Sequence, residues 1–219
     1  MGIRAVLLDV DGTLIDSNDA HARAWVDVGY EFGHAIDFGE VRWLIGMGGD
    51  KVLPKLTGLQ ETDERGARMM ERRGEIFRDR YLPELKPFDG TYDLLERLRA
   101  EGRKLVVATS ASAEDLAALL KQTRLEHLID CATNSDDAAE SKPAPDIVDA
   151  ALKQAAVPAD EVVMIGDTPY DVKAAQRAGV RIIGLRCGGW TDKELRGAAE
   201  TYGSPAELLA RYDESLLTR

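Results

Sequence analysis

AVLLDVDGTLIDS, residues 5–17, opens with a short apolar run and then changes abruptly to acids and a hydroxyl. The apolar run has the length and composition of a strand buried on both faces of a parallel sheet. Asp9, Asp11 and Thr13 follow it directly, at the strand end where open α/β sheets bind ligands. A simple turn, favoured by Asp, Gly and Thr, explains the glycine and threonine but not two neighbouring acids. Because such carboxylates repel each other, we predict a metal or catalytic site here.

The bulk composition is that of a folded protein with a substantial core, 44% hydrophobic and 31% charged over 219 residues. This length suits one domain that carries a smaller insert. The net charge of −11 argues against nucleic acid or an anionic membrane as a partner. Two cysteines, Cys131 and Cys187, are too few for a disulfide framework or a zinc site and favour a reducing compartment. With no signal-peptide or transmembrane pattern, we expect a cytoplasmic protein, either a monomer or a homodimer.

Helical periodicity replaces strand signals between the first strand and Pro87. Helices are predicted over residues 18–32, 38–45, 50–56 and 62–80. From residue 88 onward, predicted strands at residues 104–108, 128–132, 161–165 and 181–185 alternate with helices. This alternation predicts an α/β fold with a doubly wound parallel sheet. We therefore predict a core domain of residues 1–16 and 88–219, and an inserted all-helical cap domain of residues 17–87.

Polar side chains stand at four of the predicted strand ends. They are Asp9 and Asp11, Thr109 and Ser110, Lys142, and Asp167 and Asp171. Because the carboxyl ends of parallel strands meet at one edge of a sheet, we expect these groups to converge. Carboxylates suit Mg²⁺, while a lysine and hydroxyls suit phosphoryl oxygens. The reaction class that uses these parts is phosphoryl transfer.

Each of these residues, taken alone, also has a structural explanation. Ser110 or Asp167 could cap a helix, Lys142 could be a surface lysine, and Asp171 could be a solvated helix residue. Their common position at strand ends, rather than any one of them singly, favours a functional site.

The order of these motifs along the chain resembles that of the haloacid dehalogenase (HAD) superfamily. The matching motifs are Asp9-x-Asp11-x-Thr13, Ser110 after a strand, Ser141-Lys142-Pro143-Ala144-Pro145-Asp146, and Gly166-Asp167-x-x-x-Asp171. The predicted helical segment after the first strand is similar to that family's cap. The resemblance covers nearly the whole chain and is strongest to phosphoglycolate phosphatases and β-phosphoglucomutases.

This resemblance implies a Mg²⁺-dependent phosphatase that acts on a small phosphorylated metabolite. Asp9 would be the nucleophile that forms an aspartyl-phosphate, and Asp11 the general acid and base. Ser110 and Lys142 would steady the phosphoryl group. The implied Mg²⁺ ligands are Asp9, the main-chain carbonyl of Asp11, and Asp167, with Asp171 ligating or supporting.

Further substrate contacts are expected around this centre. Thr13, Thr109 and Ala111 adjoin the expected phosphoryl position, and which of Thr109 and Ser110 matches the motif is open. His21, with Trp25, resembles a cap pattern of sugar-phosphate mutases. A role in the site and a structural role are equally open for His21, whereas Trp25 is expected in the core. Because the catalytic charges balance before a phosphate dianion binds, we expect a cation from the cap or a solvent path. Arg42 and Lys51, which flank the glycine-rich residues 46–49, are the candidates for such a cation, although each could be an ordinary surface charge.

Three other functions are weighed against the phosphatase. A phosphoglucomutase-like enzyme shares several motifs, but the chain has Met47-Gly48-Gly49 where those mutases carry an arginine for a second phosphate. A true haloacid dehalogenase attacks carbon and needs neither Asp11 nor Asp167. A non-catalytic phosphate-binding regulator would not need all the motifs intact. The sequence leaves the substrate and the pathway open.

Overall fold

A six-stranded sheet, parallel throughout, forms the centre of the protein in the computed structural model, which describes residues 2–219. The strands are β1 (Ala5–Leu8), β2 (Lys104–Ala108), β3 (Cys131–Thr133), β4 (Val162–Gly166), β5 (Arg181–Leu185) and β6 (Glu200–Tyr202). Their spatial order is β3-β2-β1-β4-β5-β6, and every neighbouring pair is parallel. The order therefore reverses beside β1, and ligand sites of open α/β sheets lie at such a reversal.

The helices fall into two groups along the chain. The first group is α1 (Asn18–Glu31), α2 (Phe38–Arg42), α3 (Gly49–Thr57) and α4 (Glu64–Ile76), followed by a π-helical turn, Phe77–Tyr81, and a 3₁₀ turn, Leu82–Glu84. We call residues 18–84 the helical insert. The second group is α5 (Thr91–Ala100), α6 (Ala113–Thr123), α7 (Asp146–Ala155), α8 (Pro169–Arg177) and α9 (Pro205–Ala210). The predicted fold class is confirmed, whereas the division into two domains stays a prediction.

Strand β1 is completely buried because helices cover both faces of the sheet. Val6 and Leu8 belong to one hydrophobic cluster and Ala5 and Leu7 to another, as the two-residue period of a strand requires. Leu8 pairs with Val107 of β2 and with Ile165 of β4. The three strands therefore end level with one another, and the polar residues that follow them meet at one edge.

Four elements differ from the prediction, and the first is the helix expected over residues 38–45, which ends at Arg42. The strand expected at residues 128–132 begins later, at Cys131, because a 3₁₀ turn occupies Glu126–Leu128. Strand β6 was not predicted, since three residues without an apolar run carry no strand pattern. The helix expected over residues 62–80 is α-helical only to Ile76 and continues as the π-helical turn. Across residues 2–219, no helix combines the length and the apolar character that crossing a bilayer requires.

Candidate active site

Lys142 lies fully buried between two carboxylates at the end of the sheet. Its ammonium donates to Asp9 Oδ1 over 2.6 Å and lies 2.7 Å from Asp171 Oδ1. Burial lowers the pKa of Lys142, but Asp171 and Asp9 outweigh burial and raise that pKa above its ordinary value. Lys142 is therefore a permanent positive charge in a water-poor site, and the surface-lysine interpretation is excluded.

The loop after β1 brings Thr13 back against two acids. Its hydroxyl lies 2.9 Å from Asp9 Oδ2 and 3.0 Å from Asp167 Oδ1, so its one hydrogen is shared between them. Gly12 makes this turn with a φ of +78°, and a Cβ there would collide with the carboxylate of Asp167. Glycine is thus required at this position both by conformation and by space.

Three buried carboxylates, those of Asp9, Asp167 and Asp171, place oxygen atoms within 4.8 Å of one another. Burial and then the charge of Asp171 raise the pKa of Asp9 to about 7. Burial and the charge of Asp9 raise the pKa of Asp167 well above its usual value. Hard carboxylate oxygens crowded in this way are the donor set that Mg²⁺ prefers. The residues present fit such an ion, because a divalent cation would offset the burial and the mutual repulsion that raise these pKa values.

Two neighbouring side chains hold this cluster in place. Asn18 Nδ2 donates to Asp167 Oδ2 over 3.1 Å and to the carbonyl of Gly188 over 3.2 Å. Thr168 caps α8, and its hydroxyl donates to Asp171 Oδ2 over 2.6 Å. The helix cap is therefore Thr168 rather than Asp167, and Asp171 is a buried residue rather than a solvated one.

Asp11 is held by residues of the helical insert and of the segment leading into it. Its Oδ1 accepts from Ser17 Oγ over 2.5 Å and lies 2.7 Å from His21 Nε2. Arg73 contacts the other ring nitrogen of His21, and a guanidinium can only donate. His21 Nδ1 is therefore the acceptor, and His21 Nε2 carries the proton that it donates to Asp11. Burial raises the pKa of Asp11, but His21, Ser17 and Arg73 together outweigh burial and lower it.

The residues after β2 line the same edge. Ser110 Oγ accepts from the main-chain N–H of Lys142 over 3.4 Å, and Thr109 Oγ1 accepts from that of Ala111 over 3.1 Å. The cap of α6 is Ser112, whose hydroxyl accepts from the N–H of Asp115. Neither Thr109 nor Ser110 is thus used as a helix cap, and which of them holds a phosphoryl group stays a prediction.

A cavity of about 460 Å³ opens above these groups, between the sheet edge and the helical insert. Asp9, Asp11, His21, Thr109, Ser110 and Ala111 are among the residues that line it. Trp25, Ile45, Met47, Val52 and Met70 contribute apolar surface from the insert. Trp25 is buried, as expected for a core residue, and also forms part of this wall.

The two cations proposed from the sequence to contact substrate lie elsewhere. Arg42 donates to Asp19 Oδ1 over 2.8 Å and to the carbonyl of Gly188 over 2.5 Å. Lys51 donates to the carbonyl of Ser141 over 2.6 Å. Neither residue lines the cavity. Both instead join the helical insert to the segments that follow β3 and β5.

The structure reveals a charged cluster that the sequence interpretation missed. Arg73 Nη1 donates to Asp115 Oδ2 over 2.9 Å, and Arg78 Nη1 donates to Asp115 Oδ1 over 2.7 Å. The guanidinium of Arg73 also lies over the ring of Phe77, 5.2 Å from its centroid. In the sequence Arg73 is one of several charged residues of α4 and has no distinguishing pattern. Only its contact with Asp115 of α6 sets it apart from them.

Comparison with known proteins agrees with this geometry. The family model described as haloacid dehalogenase-like hydrolase matches residues 6–185. The chain is 37% identical over 193 residues to the protein SUPPRESSOR OF QUENCHING 1 of Arabidopsis thaliana, a match that covers 84% of this chain but only 18% of that protein. It is 29% identical to a phosphoglycolate phosphatase of Aliivibrio fischeri, with 85% of each chain covered.

A solved structure extends the likeness to the whole fold. A hydrolase from Pseudomonas syringae superposes with a TM-score of 0.89 at 31% sequence identity, covering 96% of this chain and 98% of the other. The family match spans most of the chain, and the acids at the ends of β1 and β4 agree with it. The chain therefore belongs to the haloacid dehalogenase-like hydrolases.

Proposed function

We propose that this hydrolase is a Mg²⁺-dependent phosphatase that acts on a small phosphorylated metabolite through an aspartyl-phosphate on Asp9. The observation that carries the proposal is the buried contact of Asp9 with Lys142, beside two further carboxylates, at the floor of a cavity. The likeness to a protein named phosphoglycolate phosphatase supports the same reaction class.

In the first step, an oxygen of Asp9 attacks phosphorus and the bond from phosphorus to the leaving oxygen breaks. Asp11 gives its proton to that oxygen, so the product leaves as an alcohol. In the second step, Asp11 takes a proton from water as the water oxygen attacks phosphorus. The bond between phosphorus and Asp9 then breaks, which releases inorganic phosphate and restores both carboxyl groups.

The remaining residues of the site bind and orient. Lys142 and Ser110 hold the phosphoryl oxygens, with Thr13, Thr109 and Ala111 around them. His21 orients Asp11 through the 2.7 Å contact of its Nε2. In the proposal, residues 17–87 act as a separate cap over the core of residues 1–16 and 88–219.

The proposed ligands of Mg²⁺ are Asp9, the main-chain carbonyl of Asp11, Asp167 and Asp171. When bound, the ion would neutralise the phosphoryl charge and favour the ionised form of Asp9. Without a cation the pKa of Asp9 lies above that of Asp11, which is the wrong order for a nucleophile and an acid. The donor set therefore supports a function that depends on the metal.

Hydrolysis is favoured over transfer to a second sugar position. A mutase must hold a second phosphate, and Met47 contributes an apolar side chain to the cavity in the region where the mutases carry an arginine. A dehalogenase would have no use for the buried Asp167. A non-catalytic regulator would release no phosphate from any phosphomonoester.

The test is turnover of p-nitrophenyl phosphate with and without Mg²⁺. We expect phosphate release that EDTA abolishes and Mg²⁺ restores, and complete loss of that release in Asp9→Asn. The control is Asp16→Asn, which removes one carboxylate charge at an exposed position between β1 and α1. Activity of Asp9→Asn equal to that of the control would contradict the proposal.

A further inference from the structure

The part of the cavity that faces the leaving group is acidic. Beyond Asp9 and Asp11, its lining includes Asp50, Glu61, Glu71, Glu114, Asp115 and Asp136. Among residues 2–219, the arginines and lysines that line it are Arg73 and Arg78 alone. A substrate whose leaving group carries a negative charge would therefore have to place that charge beside an excess of carboxylates.

The two arginines of the cavity are already engaged with acids. Asp115 accepts from Arg73 over 2.9 Å and from Arg78 over 2.7 Å, and its side chain is 5% exposed. Arg78 also lies 3.2 Å from Glu114. Arg73 further contacts His21. Asp115 and Glu114 thus offset the two positive charges, so these arginines give the cavity no net positive charge with which to attract a substrate anion.

The remaining acids have no such cationic partner. Glu61, Glu71 and Asp136 are exposed at the cavity and form no ion pair within the described residues, while Asp50 accepts a hydrogen bond from Ser141. Opposite them, apolar surface is offered by the side chains of Trp25, Met47 and Met70. The combination suits the uncharged carbon skeleton and hydroxyl groups of an alcohol, and it repels anions.

From this lining we infer that the cavity selects phosphomonoesters whose leaving alcohol carries no negative charge, such as the monophosphate of a sugar or another polyol. This inference rests on the proposed phosphatase function and deepens it. The inference also makes phosphoglycolate, the compound in the name of one relative, a poor substrate for this chain, because glycolate bears a carboxylate.

Two matched substrate pairs test the inference with the purified full-length protein and Mg²⁺. The first pair is 2-hydroxyethyl phosphate and 2-phosphoglycolate, and the second is fructose 6-phosphate and fructose 1,6-bisphosphate. We expect kcat/KM to be about tenfold higher for the member of each pair with the uncharged leaving alcohol, at low ionic strength. The ratio should shrink as salt screens the exposed acids.

A charge reversal within the cavity makes the test specific. Glu71→Lys should raise kcat/KM for the members with an anionic leaving group by about threefold or more, while changing the other members little. Asp93→Lys makes the same change in net charge on α5, at an exposed residue that does not line the cavity, and should leave both ratios unchanged.

The inference is overturned if kcat/KM for the members with an anionic leaving group equals or exceeds that for the members with an uncharged leaving alcohol. This result would leave the phosphatase proposal standing. The inference is overturned in the same way if Glu71→Lys and Asp93→Lys shift the ratios equally. If no phosphomonoester, p-nitrophenyl phosphate included, is hydrolysed with Mg²⁺, the proposed function fails and the inference fails with it.

Discussion

The ammonium group of Lys142 donates to Asp9 Oδ1 over 2.6 Å, although the two residues are 133 positions apart and both are buried. Lys142 also lies 2.7 Å from Asp171, so one cation serves two carboxylates. Removing it would leave these acids buried without a counter-charge, which is costly in a site of low polarity. Stability and the proposed chemistry therefore depend on the same ammonium group.

Lys142→Met should impair both properties. We expect the free energy of unfolding to fall by about 3–5 kcal/mol and kcat to fall by about 100-fold or more. Urea denaturation and phosphate release measure the two effects. Lys153→Met, at an exposed position on α7, is the control and should change neither. A Lys142→Met protein that retains full activity would contradict the role given to this residue.

Asp115→Ala should destabilise the protein by about 3 kcal/mol, because it leaves the buried guanidinium of Arg73 without its carboxylate. Glu114→Ala removes the neighbouring acid, whose side chain is 71% exposed, and should cost less than about 0.5 kcal/mol. Equal midpoints of urea denaturation for the two variants would show that the contact between α4 and α6 contributes little.

Alanine substitutions at Ser110 and Ser112 should have different effects, one on catalysis and the other on stability. Ser110→Ala removes a proposed phosphoryl contact, so kcat should fall by about 100-fold with little change in the midpoint of thermal unfolding. Ser112→Ala removes the cap of α6 and should cost about 1 kcal/mol of stability while activity is kept. Full activity of Ser110→Ala would contradict the role given to Ser110 and would transfer it to Thr109.

The strand ends that carry the site were predictable because their signal is local. A short apolar run followed by Asp9 or Asp167 indicates a buried strand and its polar end without knowledge of the rest of the chain. The parallel order of the strands then brings these acids together. Lys142 entered the prediction through its place after the third predicted strand, but its burial was not predictable, since no local pattern indicates that a lysine is buried.

The contacts made by the helical insert were not predictable in the same way. Arg73 and Asp115 meet only because the fold brings the last turn of α4 and the first turn of α6 together, and each residue stands in an ordinary charged stretch. Arg42 and Lys51 flank a glycine-rich loop that suggested a reach toward substrate, but they donate to main-chain carbonyls of the core instead. Hydrogen bonds between distant elements depend on packing, which the pattern of single residues does not encode.

Mg²⁺ should stabilise the protein more at pH 8 than at pH 5.5. Burial raises the pKa of Asp9 from 3.8 to about 7. Proton binding to Asp9 therefore stabilises the metal-free fold. This stabilisation is complete below pH 3.8 and is lost as the pH rises through about 7. A cation replaces those protons at high pH and competes with them at low pH. At pH 8 and about 100 times the dissociation constant, the midpoint of thermal unfolding should rise by roughly 5–10 °C.

The control for this measurement is Asp167→Asn, which removes a proposed ligand and should reduce the shift caused by Mg²⁺. A shift of the same size at both pH values, or one that survives in the variant, would place the bound ion outside the acidic cluster.

The covalent intermediate on Asp9 is tested most directly by mass spectrometry of an Asp11→Asn protein mixed with p-nitrophenyl phosphate and quenched in acid. The nitrophenolate leaves without help from an acid, whereas release of the phosphoryl group from Asp9 needs the base that Asp11 supplies. We therefore expect a phosphoryl group to accumulate on the peptide that contains Asp9. Release of nitrophenolate without any phosphorylated peptide, or with the phosphoryl group on another residue, would contradict the covalent mechanism.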